Sequence, residues 1–72
     1  MARLRDLSGR QVATILRRHG FVDVRQKGSH LQMRGVVEGR RVIVTVPQHR
    51  RVKIGTLLAI IKRSGIPRSE FE

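Results

Sequence analysis

The hydrophobic period of the chain changes twice. Val12, Ile15, Leu16 and His19 fall three and four apart, on one face of a helix. Ser8 and Gln11 have capping-box spacing, with Leu7 and Val12 as the accompanying hydrophobic staple. Gly20 stands where a left-handed residue closes a helix. Together these predict a helix over about residues 9–19. From Val22 the period is two. Val22 and Val24 alternate with Asp23, Arg25 and Lys27. After Gly28-Ser29, Leu31 and Met33 alternate with His30, Gln32 and Arg34. After Glu38-Gly39, Val42, Val44 and Val46 alternate with Ile43 and Thr45. Three strands joined by two tight turns are predicted, ended by Pro47. Ile54, Leu57, Leu58 and Ile61 then restore a helical face, stopped by Gly65 and Pro67. A last turn around Ser69–Phe71 is expected to tuck Phe71 against the body.

The expected class is α+β, in the order α-β-β-β-α, with both helices covering the apolar face of an antiparallel sheet. Two-residue turns set a register. Lys27 pairs with His30, Arg25 with Gln32, Asp23 with Arg34, and Val24 with Met33 on the core side. In the second hairpin Leu31 pairs with Val46, Met33 with Val44 and Gly35 with Val42. A slip of one residue would bring valines to the face of the arginines. A bulge at Gly35 is the point where this register is most exposed to error.

Length and charge narrow the function. The 72 residues are expected to form one domain, 1–72, with no room for a deep cofactor cleft. There is no cysteine, which excludes disulfides and thiolate metal sites. No apolar run reaches membrane-spanning length, and Met1–Asp6 lacks the apolar stretch of a secretory signal, so a cytoplasmic protein is expected. Sixteen Lys and Arg against five Asp and Glu give a net charge of +11. The excess is even over both halves, which describes a basic body rather than a basic tail. A polyanion is the natural partner. Two Phe and no Tyr or Trp leave nothing aromatic on which to stack bases. Recognition therefore rests on phosphates, shape and hydroxyls, as RNA offers them.

The register gives this charge a chemistry. The uncovered face carries Arg25, Lys27, His30, Gln32, Arg34 and Thr45, with Lys27 across from His30. Neighbouring cations disfavour a further positive charge, so a neutral imidazole is expected near pH 7. Such an imidazole can take the proton of a ribose 2′-hydroxyl while the cations stabilise charge on the attacked phosphate. Against this stands the ordinary surface histidine at the start of a strand.

The run Gly20-Phe21, then Arg25-Gln26-Lys27-Gly28-Ser29-His30, resembles the signature of the HicA family. So do Val46-Pro47-Gln48-His49, Gly55-Thr56-Leu57, Ile60-Ile61-Lys62, Ser64-Gly65-Ile66 and Glu70-Phe71. The resemblance covers nearly the whole chain. It implies a fold like that of double-stranded-RNA-binding domains. It also implies a toxin of a toxin–antitoxin pair, acting as a ribosome-independent endoribonuclease on mRNA without a cofactor. The histidine of Gly-Ser-His is catalytic in the family, and that role falls on His30. Lys27, Arg25, Ser29, Gln32 and Arg34 would then hold RNA or support the transition state. The implied partner is a HicB-type antitoxin that binds the toxin and masks its active face. Family members often place a second histidine or another polar residue after Gly-Ser-His; here it is Leu31, which the register sends into the core. Gly35–Arg41 matches no motif.

The remaining candidates stay open. His19 at the helix end favours the helix dipole and reads as structural. His49 either fixes its loop or contacts RNA. His30 and His49 lack a third ligand for a metal, so none is expected. Arg50, Arg51 and Lys53 are either a phosphate clamp at the second helix or a solvated charge run. The rival to the nuclease is a non-catalytic basic RNA-binding module, or a degenerate toxin retained for partner binding.

Overall fold

A computed structural model describes residues 4–72. The first three residues of the expected domain, and of the chain start judged to lack a signal, lie outside them. Ser8 opens α1 (Gly9–Arg18) with the expected reciprocal cap. Ser8 Oγ accepts from the Gln11 N–H at 3.1 Å, and Gln11 Oε1 accepts from the Ser8 N–H at 2.9 Å. Val12, Ala13, Ile15 and Leu16 are buried on one side of it. Three antiparallel strands follow in meander order: β1 (Val22–Lys27), β2 (His30–Val37) and β3 (Arg40–Pro47). Both turns are two residues long. Gly28 takes positive φ (59°) in the first, and Glu38 (51°) and Gly39 (77°) both do in the second. Paired positive values are those of the type I′ turn, whose twist matches that of the strands. The helix α2 (Ile54–Ser64) ends at Gly65 in the left-handed region (φ 70°). A 3₁₀ turn, Arg68–Phe71, closes the chain and buries Phe71 completely.

Both helices pack on the face carrying Leu31, Met33, Val44 and Val46, giving the α+β architecture of the double-stranded-RNA-binding-domain type. The β2–β3 register is the expected one, with Leu31 on Val46, Met33 on Val44 and Gly35 on Val42. The β1–β2 register is only half so. Lys27–His30 and Arg25–Gln32 form, but Val22 faces Arg34 and Asp23 faces Met33. The expected Asp23–Arg34 and Val24–Met33 pairs do not exist. The bulge lies in β1, between Asp23 and Arg25, and not at Gly35. Two packing facts account for this. Asp23, on the helix side, receives two hydrogen bonds from the Arg17 guanidinium at 2.9 and 2.8 Å. That guanidinium holds the Asp23 carboxyl below its usual range. Gly35 stays regular because the Phe21 ring fills the place of its side chain; a Cβ there would lie 2.6 Å from the ring. With this shift Val22 stands in line with Arg34, on the face away from the helices, and no helix covers β1 at Val24, so both valines are half exposed rather than in the core.

The face of α2 is also corrected. Leu57, Ile60 and Ser64 are buried and Ile61 partly so, while Ile54 and Leu58 lie exposed. The Ser64 hydroxyl tolerates burial because it donates to Ile61 O at 3.0 Å and accepts from the Ile66 N–H at 3.2 Å.

A knot of backbone contacts ties the first hairpin to α1. The Gln48 N–H donates to Ser29 O at 2.6 Å, and the Gly9 N–H donates to His49 O at 2.9 Å. Gly9 makes this possible. A Cβ on it would stand 2.1 Å from Pro47 O and 2.7 Å from Gln48 Cα. Both are backbone atoms that cannot rotate away. Alanine normally gains up to about 1 kcal/mol over glycine in a helix. Here an overlap of this size outweighs the gain, since overpacking costs about 1–3 kcal/mol and sometimes more. Gly9→Ala is therefore expected to lower the melting temperature, by about 4–8 °C for each net kcal/mol lost in a domain of this size. Calorimetry checks this, and an unchanged or raised Tm would refute the close approach.

Candidate functional site

Strand register builds the open face in rungs two residues apart. Lys27, His30 and Pro47 form the first. Arg25, Gln32 and Thr45 form the second. Val22, Arg34 and Ile43 form the third, and Val36 with Arg41 the fourth. The buried positions of β2 and β3 alternate with these, so every rung points away from the helices. Lys27 sits across from His30 because the two-residue Gly28-Ser29 turn allows no other partner.

The first two rungs enclose an open recess lined by Arg25, Lys27, His30, Gln32 and Thr45. Five of the sequence-predicted positions are judged by it. Arg25, Lys27, Gln32 and His30 are brought together. Arg34 is not: it shares their face but lies two rungs from His30, in a second recess with Val22, Val36 and Arg41. At about 3.4 Å per residue that is roughly 13 Å along the strand. Ser29 occupies the turn, where its carbonyl holds the Gln48 N–H. It thereby fixes the hairpin tip beside the post-β3 loop.

No carboxylate lines the His30 recess. The acids are engaged elsewhere: Asp23 with Arg17, Asp6 with Arg51, Glu70 with His19 and Glu72 with Arg68. Only Glu38, in the second turn, has no ion pair among the described residues. The recess thus presents one imidazole with a cation across from it and a second diagonal to it, and a hydroxyl and an amide in the same lining. Such a set can accept a proton at the imidazole and hold an anion at the cations. Among the described residues no group of three or more His, Cys, Asp or Glu side chains is placed to hold a metal ion.

The other candidates separate cleanly. His19 caps α1, and its Nε2 lies 3.1 Å from Glu70 Oε1, which agrees with a structural role. His49 is exposed, and its backbone carbonyl anchors Gly9. Arg51 pairs with Asp6, while Arg51 and Lys53 border a recess beside α2 that shares no residue with the His30 recess. Arg50 is exposed and lines neither. Arg41 was not singled out by sequence reasoning, because Gly35–Arg41 carries no motif; its pairing with Val36 across the second turn is what places it on the open face. The Glu38-Gly39 turn signal was sufficient to find it.

Among the described residues no helix is long and apolar enough to cross a membrane. Neither the curated proteins nor the solved structures yield a match to the chain. The family model described as HicA toxin of bacterial toxin-antitoxin does match, over residues 9–66. That span begins at the first residue of α1 and ends just past α2, so it takes in both helices, the whole sheet and the His30 recess. The chain belongs to the HicA toxin family of bacterial toxin–antitoxin systems.

Proposed function

We propose that the chain is an mRNA endoribonuclease toxin of one domain, in which His30 performs the proton transfer. The observation that carries the reading is the juxtaposition of His30 with Lys27, Arg25, Gln32 and Thr45 in one carboxylate-free recess. His30 takes the proton from a ribose 2′-hydroxyl. The 2′-oxygen attacks the adjacent phosphorus, the bond to the 5′-oxygen breaks, and that oxygen takes up a proton from the imidazolium or from water. The products are a 2′,3′-cyclic phosphate and a 5′-hydroxyl. Lys27 and Arg25 face the negative charge that builds on the phosphoryl oxygens. Ser29 acts through its carbonyl, which keeps the turn and therefore His30 in place. Arg50 and Lys53 add to the field that draws RNA in; Arg51 is already committed to Asp6. The family supports a cognate antitoxin of the HicB type, seated over the open face and excluding RNA from it.

Purified protein incubated with RNA and excess chelator is expected to cut it, leaving cyclic-phosphate ends. A single 2′-deoxynucleotide at the cut position removes the nucleophile and should protect that bond alone. Cutting of the deoxy-substituted bond would sink the mechanism. Binding without any cutting would favour the rival reading, a non-catalytic RNA-binding module.

A further inference from the structure

The open face holds more charge than the reaction uses. Beyond the His30 recess, the third and fourth rungs bring Arg34 and Arg41 into a second recess. Neither guanidinium has an ion-pair or hydrogen-bond partner among the described residues, and no carboxylate lines the recess. His19, at its rim, is occupied by Glu70. Around the two arginines stand three exposed apolar side chains: Val22 (50% exposed), Val36 (68%) and Ile43 (39%). Arg34 lies directly between Val22 and Ile43 in the rung. Three aliphatic side chains left in water on one small face are not needed by the fold, whose core lies on the other side. They do suit a ligand that is anionic along one edge and flat and apolar along the other. A nucleotide is such a ligand. The guanidinium fork grips phosphate in two directions, and its plane stacks on a base where no aromatic ring is available.

We infer that Arg34 and Arg41 form a second nucleotide-binding site, which holds the same RNA strand several nucleotides from the bond beside His30. The inference rests on the reading that RNA lies across the open face. The separation sets the length. About 13 Å from the His30 rung to the Arg34 rung corresponds to about four nucleotides at the stacked rise of 3.4 Å per strand, and fewer where the strand is extended. The chain thereby selects RNA by the length of unpaired strand it can lay down.

The test uses the full chain carrying His30→Ala, so that binding is read without cutting. Affinity is measured for oligouridylates of rising length. A step is expected where the strand becomes long enough to reach both recesses. Arg34→Gln with Arg41→Gln should abolish the step and weaken binding of the longer strands on the order of tenfold. It should also reduce the slope of log affinity against log salt by about 1.4, two contacts' worth for a single strand. Arg10→Gln with Arg18→Gln removes the same charge from the exposed side of α1 and should keep the step. Equal losses from both pairs would overturn the inference in favour of a diffuse field. So would unchanged RNA affinity with lost binding of the cognate antitoxin, which would assign the arginines to a protein partner. If the wild-type chain never cuts RNA yet the step is present and depends on the two arginines, the second site stands and the catalytic reading falls.

Discussion

His30→Ala is expected to leave a folded, RNA-binding protein that no longer cuts RNA and no longer arrests growth. The fold should survive because His30 is exposed at the first position of β2, and the neighbouring Gly28-Ser29 turn does not depend on its side chain. The reaction should not survive. A positioned acid–base group contributes about 10²–10⁴ in rate, or roughly 3–5.5 kcal/mol of barrier. No second imidazole lines the recess to replace it. His19 is paired with Glu70, and His49 borders neither recess of the open face. Lys27→Ala is the companion variant. It removes charge stabilisation and leaves the proton acceptor, so it should slow cutting while unfolding at nearly the wild-type temperature. Single-turnover cleavage beside thermal unfolding separates the two effects. A His30→Ala protein that cuts at the wild-type rate would end the assignment of His30.

The largest effect on stability is expected from Phe71→Ala. Phe71 is the penultimate residue and sits in one turn of 3₁₀ helix, yet its side chain is 0% exposed. Truncating a buried Phe to Ala costs about 3–5 kcal/mol. At about 0.05–0.15 kcal/mol per residue, a chain of 72 residues has a total of roughly 4–11 kcal/mol to lose. The variant should therefore stand close to its unfolding threshold at ambient temperature. Denaturant unfolding measures it directly. A loss below about 1 kcal/mol would mean that the terminal turn frays and the core closes without it.

Much of the architecture is legible because local chemistry and long-range packing agree. Ser8, Gln11, Gly20, Gly39 and Gly65 each do in the fold what their residue type does in isolation. The β2–β3 register follows from one turn and an unbroken alternation, and the two-residue Gly28-Ser29 turn alone sets His30 opposite Lys27. The failures lie where packing chose between locally equal options. Val22 and Val24 alternate as core residues do, but the observed register puts Val22 on the open face, and no helix reaches over β1 to compel the burial of Val24. Arg17 then draws Asp23 to the helix side, and one extra residue restores the phase before Arg25. In α2, the set Ile54, Leu57, Leu58 and Ile61 matches a helical face as well as the set that is buried. Ser64 permits the second choice, because its hydroxyl is satisfied by Ile61 O and the Ile66 N–H at the helix end. Gly9 gave no sign of its importance and Gly35 drew notice only as a bulge that does not form, since each is required by a neighbour distant in sequence. Arg34 was grouped with His30 by its face alone, and only distance along the strand separates them.

The displaced bulge has a consequence for the solution behaviour of the protein. A strand at the margin of a sheet offers a row of free amides and carbonyls on which a second molecule can polymerise. Val24 breaks that row in the middle of β1. What is left on either side is short, and the longer piece, Arg25–Lys27, carries two cations in three residues. Interrupted, twisted and cationic margins are how sheets resist joining one another. With half-exposed valines on the same strand, this margin would otherwise be a candidate for aggregation; the extra residue that spoils the expected register also guards the β1 edge of the sheet.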